Sequence, residues 1–276
     1  MAQRNKENTT SNQQKLDLML DEYLRLNETM QRKNYSNDTH YMCTKYDLFG
    51  EFMFKLYGYN SKPQIVPDQQ YISTQEPTLY RGKNADFLAN ILCDDSYHLC
   101  SLYHGTGIYS TKDEQVAKIY ENRSHNGTTL NFKIDGKIAD RKLIKQVSEI
   151  WGGYATKYDI QDIKAEFPEI AKKCEEIFKF LNTLPTTNRP EDVHRYQMKS
   201  WFTEEFFTAN PAYIAAYLGF DAVSINNYDG EEEIIVLNRG KMVVSLSEYN
   251  RICAASKRYK HCVKTEEDLC AAPEAM

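Results

Sequence analysis

The sequence predicts an α+β protein, and three observations carry that prediction. Apolar residues recur at helical spacing from Leu16 to Tyr57; short β-like pieces begin only at Thr78; and a long, mostly helical stretch from about Arg141 to Leu218 separates the early strands from the late ones. A length of 276 residues fits one large or two small domains. With 41% hydrophobic and 26% charged residues the composition is that of a folded globular chain, which sets aside disordered, collagen-like and coiled-coil readings.

Taken in order, residues 1 to about 13 are polar. Leu16, Met19, Leu20, Tyr23 and Leu24 then share one helical face, so an amphipathic helix is expected to run to about Arg32. The polar sequence NYSNDTH breaks it, and a second helix is expected over Tyr46 to Tyr57. Gly58, Pro63 and Pro67 mark an irregular connection. Residues 1–75 therefore read as a helical amino-terminal region, with the main domain over 76–265 and a loose tail over 266–276. Strands are expected at Thr78 to Arg81, Thr129 to Ile134, Asp221 to Ile225, Glu233 to Asn238 and Lys241 to Ser245. A closing helix follows from Ser247 to about Cys262, with Ser245 and Glu248 spaced as a capping box.

Several function classes lose their footing on composition. No apolar run approaches the roughly 18 to 20 residues a membrane-crossing helix needs, and the polar amino terminus lacks a secretory apolar stretch, so a cytoplasmic location is expected. Seven cysteines form no CxxC and suit neither a zinc site nor a disulfide framework, so they read as reduced thiols with no metal. Sequons at Asn8, Asn27, Asn122 and Asn126 carry no weight without export. A net charge of -5 supplies no global field for nucleic acid. Lys257, Arg258 and Lys260, or Lys142 and Lys145, are either local basic patches or ordinary solvated faces.

Three segments put polar groups at the ends of apolar runs. In Thr78-Leu79-Tyr80-Arg81-Gly82, an arginine at a strand end precedes a glycine that admits close approach to the backbone; a guanidinium there is either an anion clamp or a surface ion pair. In His104 to Lys112 the glycines demand tight geometry, and Ser110 and Thr111 stand where they can cap the helix carrying Val116, Ala117 and Tyr120. In Gly230 to Asn238 three glutamates open an apolar strand, so Glu231 and Glu233 share one face and Glu232 takes the other. Two carboxylates on one face can divide charge stabilisation from proton abstraction.

In this order the three segments resemble the motifs of the ADP-ribosyltransferase superfamily of the Arg-Ser-Glu type, which includes bacterial toxins and phage enzymes. LYRG at 79–82 resembles its first strand, GIYST at 107–111 its Ser-Thr-Ser strand, and GEEEIIVLNRGKMVV at 230–244 its ExE turn and strand. Leu218 to Val223 also resembles the helix-then-strand step before that turn. The similarity spans Thr78 to Ser245 and is thin between the motifs, where a helical insertion fits. Lys112 stands at the third Ser-Thr-Ser position, a departure. His104 beside Tyr109 hints at the His-Tyr-Glu subclass, but their spacing is too short for two motif strands.

The resemblance implies a split mixed β-sheet core, NAD+ as co-substrate and no metal. It implies that Glu233 bonds the 2′-hydroxyl of the nicotinamide ribose and stabilises an oxocarbenium-like cation, that Ser110 holds Glu233, and that Thr111 lines the ribose pocket. Arg81 then clamps the pyrophosphate, and the Gly82 backbone holds the nicotinamide amide. Tyr109 either stacks near the nicotinamide or is one of the core residues among 20 tyrosines. Glu231 orients or deprotonates the acceptor, which favours protein arginine; RNA or DNA bases are the alternative acceptor, and a non-catalytic interaction protein on the same fold is the other reading. Trp151-Gly152-Gly153-Tyr154 reads as a helix break, and His194 and Trp201 as packing. An inhibitor or antitoxin partner is expected at the amino-terminal helices, and no membrane partner.

Overall fold

The computed structural model describes residues 11–32, 38–95, 100–102, 105–151, 163–182, 202, 204, 210–226 and 230–270. Helices α1 (Asn12–Arg32) and α2 (Asp38–Leu56) come first, followed by strand β1 (Gln64–Val66) and a short α3 (Asp68–Ser73). Strand β2 (Leu79–Asn84) runs directly into α4 (Ala85–Cys93), with the Asn84 side chain accepting from the Phe87 N–H as its cap. Then come β3 (Cys100–Leu102), β4 (Gly105–Thr111), α5 (Glu114–Asn122), β5 (Gly127–Ile134) and β6 (Ile138–Ala139). Helices α6 (Arg141–Trp151), α7 (Pro168–Asn182) and α8 (Pro211–Leu218) lead to β7 (Ala222–Asn226), β8 (Glu232–Val236), β9 (Met242–Ser245), α9 (Leu246–Ala255) and α10 (Glu266–Cys270).

The strands form one mixed sheet in the order β1-β9-β5-β2-β4-β8-β7-β6, with β3 pairing β4 beside this path. The β1–β9 and β6–β7 pairs are parallel and the others antiparallel. Its middle is weak. β2 registers with β5 from Leu79↔Phe132 to Asn84↔Gly127, and β4 with β8 from Ile108↔Val236 to Thr111↔Glu233, but β2 and β4 share the single pair Tyr80↔Thr111. Two half-sheets thus meet at one rung, and the sheet opens beyond it.

One hydrophobic core joins both half-sheets and the amino-terminal helices. Leu16, Met19, Leu20, Tyr23 and Leu26 of α1 and Phe49, Met53 and Phe54 of α2 are all buried in it. Phe49 meets Tyr213 of α8 edge-on at 5.6 Å, and Tyr23 lies 5.4 Å from Phe202. The expected 1–75 helical region thus carries a strand of the sheet, β1, and shares its core with the rest. Helix α8 is buried from Ala212 to Leu218; Pro211 stands in its first turn, and Gly219, at φ 88° where a side chain is strained, ends it by donating to the Ala215 and Ala216 carbonyls.

Several elements differ from the sequence expectation for local reasons. Ser110 and Thr111 belong to β4 rather than opening α5; the cap is Asp113, whose carboxylate accepts from the Gln115 N–H at 2.8 Å. Helix α2 begins at Asp38, inside the expected polar break, whose residues 34–37 lie outside the described ones. The closing helix stops at Ala255. Ser245 caps it by accepting from Glu248 N–H at 3.2 Å, but the Glu248 carboxylate turns instead to Asn131 N–H at 2.8 Å and to Arg251, so only half of the capping box forms. The expected loose tail begins with helix α10, opened by a reciprocal Thr265–Asp268 box. His104, Gly152 to Tyr154, His194 and Trp201 fall outside the described residues. Trp151 ends α6, buried against Tyr217 at 5.8 Å.

The side chain with most consequence for the fold is Arg239, fully buried after β8. Its guanidinium donates to the carbonyls of Asn60, Ser61, Ile91 and Asp94 at 2.6–3.1 Å, tying the turn before β1 to the end of α4. Buried carbonyls left without a donor cost about 1–3 kcal/mol each. Arg239→Met should therefore lower the stability measured by urea unfolding by at least about 3 kcal/mol. Arg239→Lys should recover only part of it, since an ammonium cannot reproduce the planar fork.

Candidate functional site

Where the two half-sheets part, Tyr80, Arg81 and Gly82 of β2, Tyr109, Ser110 and Thr111 of β4 and Glu233 of β8 line a cleft walled by Val116, Ala117 and Tyr120 of α5. The cleft is narrow: its cavity volume is about 10 Å³, far below the roughly 300–1,000 Å³ of sites that enclose a whole drug-sized ligand. All seven residues expected at a site, bar Glu231, line it. Glu231 is exposed just before β8, and its charge acts on Glu233.

Arg81 bridges the opening. One terminal nitrogen donates to the Tyr109 carbonyl at 2.7 Å, which adds to the lone rung between β2 and β4. Its Nε is buried without a hydrogen-bond partner among the described residues. A guanidinium has five N–H donors, so this one keeps donors for a ligand.

Glu233 is half-buried in the cleft. Burial pushes its carboxyl up from the usual range, the Arg81 charge pulls it back, and Glu231 adds to the rise. The neighbouring Glu232 shows the opposite behaviour. It takes the Lys112 ammonium at 3.0 Å and the Ser224 hydroxyl at 2.9 Å, and these hold its carboxyl below the usual range. The glutamate triplet thus divides by strand alternation as expected, with Glu233 turned inward.

Ser110 is not positioned as the resemblance implied. Its Oγ donates to the Ile234 carbonyl at 2.8 Å, not to the Glu233 carboxylate. The register explains this: Ser110 stands opposite Ile234, whereas Thr111 stands opposite Glu233 and shares its face. Ser110 therefore fastens the β8 backbone next to Glu233. The Thr111 hydroxyl accepts from Asp113 N–H at 3.0 Å, which leaves its proton to donate. Tyr109 is 1% exposed, a core residue whose carbonyl receives Arg81.

Gly82 has a packing reason of its own. A Cβ there would sit 1.9 Å from the Ala117 carbonyl oxygen, so α5 can lie on β2 only because position 82 has no side chain. Tyr80 also lines the cleft and was not singled out from sequence, although its place beside Arg81 in an expected strand was a usable signal. The apolar face of α5 faces this cleft. Among the described residues, no group of histidine, cysteine and carboxylate side chains could hold a metal ion, and no helix is long and apolar enough to cross a membrane. The chain matches no family model, and neither a curated protein nor a solved structure matches it.

Two outcomes follow. Gly82→Ala should destabilise the protein by about 1–3 kcal/mol, the range for an overpacked contact, read as a lower melting temperature. Glu233 binds its proton more tightly folded than unfolded, so its ionisation weakens the fold as pH rises from the ordinary glutamate range through the raised folded value. Glu233→Gln should then melt higher than the unsubstituted protein at pH 7, and the gap should close below about pH 4. An equal gap at both pH values would refute the strained carboxylate.

Proposed function

We propose that this chain is an NAD+-dependent mono-ADP-ribosyltransferase of the Arg-Ser-Glu type, with protein arginine as the favoured acceptor. The observation that carries the reading is the convergence of Arg81 and Glu233 across the parting of the sheet, with Thr111 and Tyr109 in the same cleft. Glycosidic cleavage passes through an oxocarbenium-like ribose. A preorganised anion in a partly desolvated site stabilises that charge more than water does, and Glu233 is the carboxylate so held.

The bond from the anomeric carbon to the nicotinamide nitrogen breaks, and its electron pair leaves with nicotinamide. Glu233 accepts the ribose 2′-hydroxyl hydrogen bond and lies beneath the developing cation. Arg81, with donors to spare, takes the pyrophosphate in charge-assisted hydrogen bonds. Thr111 donates to the ribose, and the β2 backbone at Gly82, beyond the last rung to β4, meets the nicotinamide amide. The acceptor nitrogen then attacks the anomeric carbon. A guanidinium has a pKa above about 12 and must lose a proton to do so, and Glu231, exposed beside Glu233, receives it.

Purified protein incubated with labelled NAD+ and a cell lysate tests this. Transfer to protease-sensitive material is expected, with Glu233→Gln at least about 100-fold slower. Glu231→Gln should release nicotinamide to water yet lose transfer to arginine. Label on nuclease-sensitive material would move the acceptor to RNA or DNA. Folded protein that neither releases nicotinamide nor transfers label would overturn the assignment.

A further inference from the structure

A second pocket, with a cavity volume of about 490 Å³, lies between the turn before β1, the end of α4 and the segment after α9, and shares no lining residue with the cleft. Cys93, the last residue of α4, and Cys262 line it beside Tyr249, His261, Lys62 and Lys264. Behind Cys93, and not in the lining, is the fully buried Cys253 of α9. The Cys93 and Cys253 sulfurs are 3.5 Å apart, and the Tyr249 hydroxyl is 3.4 Å from Cys93. Cys93 thus meets two thiols from about 160 residues further along the chain, Cys262 beside it in the lining and Cys253 immediately behind it.

We propose that Cys93 is a peroxide-reactive thiol, that hydrogen peroxide is its oxidant, and that Cys253 is the thiol that resolves it into a disulfide. In the first step the Cys93 thiolate attacks one peroxide oxygen. The O–O bond breaks, a sulfur–oxygen bond forms, and the departing hydroxide takes a proton to become water. In the second step the Cys253 sulfur attacks the Cys93 sulfenic sulfur, the S–O bond breaks, and the Cys253 proton leaves with the hydroxyl as a second water. Two thiols are oxidised and one peroxide is reduced. The placement suits this order, because peroxide reaches Cys93 from the pocket while Cys253 approaches from the buried side. The Tyr249 hydroxyl is within reach to donate to the departing oxygen.

The ionisation of the group runs the same way. Hydrogen bonds from Cys253, Tyr249 and Cys262 bring the Cys93 thiol down to about 6 against the cost of burial. The same contact, together with burial, pushes the Cys253 thiol up, and Cys93 is the one of the two that lines the pocket. An ordinary thiol near 8.5 is almost wholly protonated at pH 6; after the lower nucleophilicity of a low-pKa thiolate is allowed for, Cys93 should react about tenfold faster there.

The test uses the full chain. Peroxide treatment, quenching with an alkylating reagent and peptide mapping should show loss of two hydrogens and a Cys93–Cys253 crosslinked peptide. Cys253→Ser should instead accumulate a Cys93 sulfenic acid trapped by dimedone, Cys93→Ser should give neither product, and Cys262→Ser should behave as the unsubstituted protein. Alkylation at pH 6 without peroxide, which needs no variant, should label Cys93 about tenfold faster than a model thiol peptide. Peroxide that leaves Cys93 reduced, a crosslink from Cys93 to Cys262, or alkylation no faster than the peptide would each overturn the proposal. NAD+ turnover does not enter any of these readouts, so their failure leaves the transferase reading untouched.

Discussion

The molecule is organised around the parting of its sheet between β2 and β4. A continuous ladder there would pair every backbone group of both strands and leave no place for a ligand. One rung, Tyr80↔Thr111, holds the halves together instead, and the Arg81 guanidinium adds a second tie by reaching the Tyr109 carbonyl. Helix α5 makes the opening into a cleft. It starts from the Asp113 cap two residues beyond β4 and lies so close on β2 that the Ala117 carbonyl occupies the space a side chain at Gly82 would need. The same short stretch of chain therefore walls the gap in which the Glu233 carboxyl is half-buried.

Three buried or half-buried cations make a contrast that sets Arg81 apart. Arg239 gives its donors to four backbone carbonyls, the nearly buried Lys133 ammonium goes to the carbonyls of Tyr71 and Thr74, and Lys173 goes to those of Tyr217 and Leu218 at the end of α8. Each takes the place of a missing backbone donor where a helix or turn ends. Arg81 meets one carbonyl and keeps a buried Nε unmatched. A buried donor without a partner is a net cost to folding, and Arg81 lines the same cleft as the half-buried Glu233 carboxyl. The Arg81 charge offsets part of the burial of Glu233, but its Nε is left over, unlike the donors of the three structural cations.

Much of this was legible in the sequence, because the relevant signals are local. Strands after Thr78 follow from propensity, and alternation separates Glu232 from Glu231 and Glu233 without saying which face turns inward; Glu233 and the helix-to-strand step at Gly219 came through the resemblance. What escaped was set by partners distant in the chain. At Ser110 and Thr111 the local signal is a helix cap while the resemblance gives a strand, and pairing with β8 decides for the strand. The face that Ser110 occupies depends on the same register. The buried state of Arg239 and the meeting of Cys93 with Cys253 join segments about 150 residues apart, and no spacing rule reaches that far. Helix α10 is the exception, since Thr265-x-x-Asp268 was a local signal left unread.

The glutamate triplet shows how a register is made secure where one carboxylate must be buried. Side chains alternate along a strand, so a slip of one residue would turn Glu232 into the cleft and Glu233 out of it. The Lys112 ammonium and the Ser224 hydroxyl both take the Glu232 carboxylate, fixing it from the strands on either side of β8. Each contact is exposed, and an exposed ion pair contributes little to stability. Its value is in discrimination: the slipped register would break both contacts and face Lys112 with a different partner. Ser110 adds a third constraint by holding the Ile234 carbonyl, the next residue along. The burial of Glu233 raises its proton affinity and opposes the fold, so without these three polar contacts the strand would gain by turning that carboxylate to water.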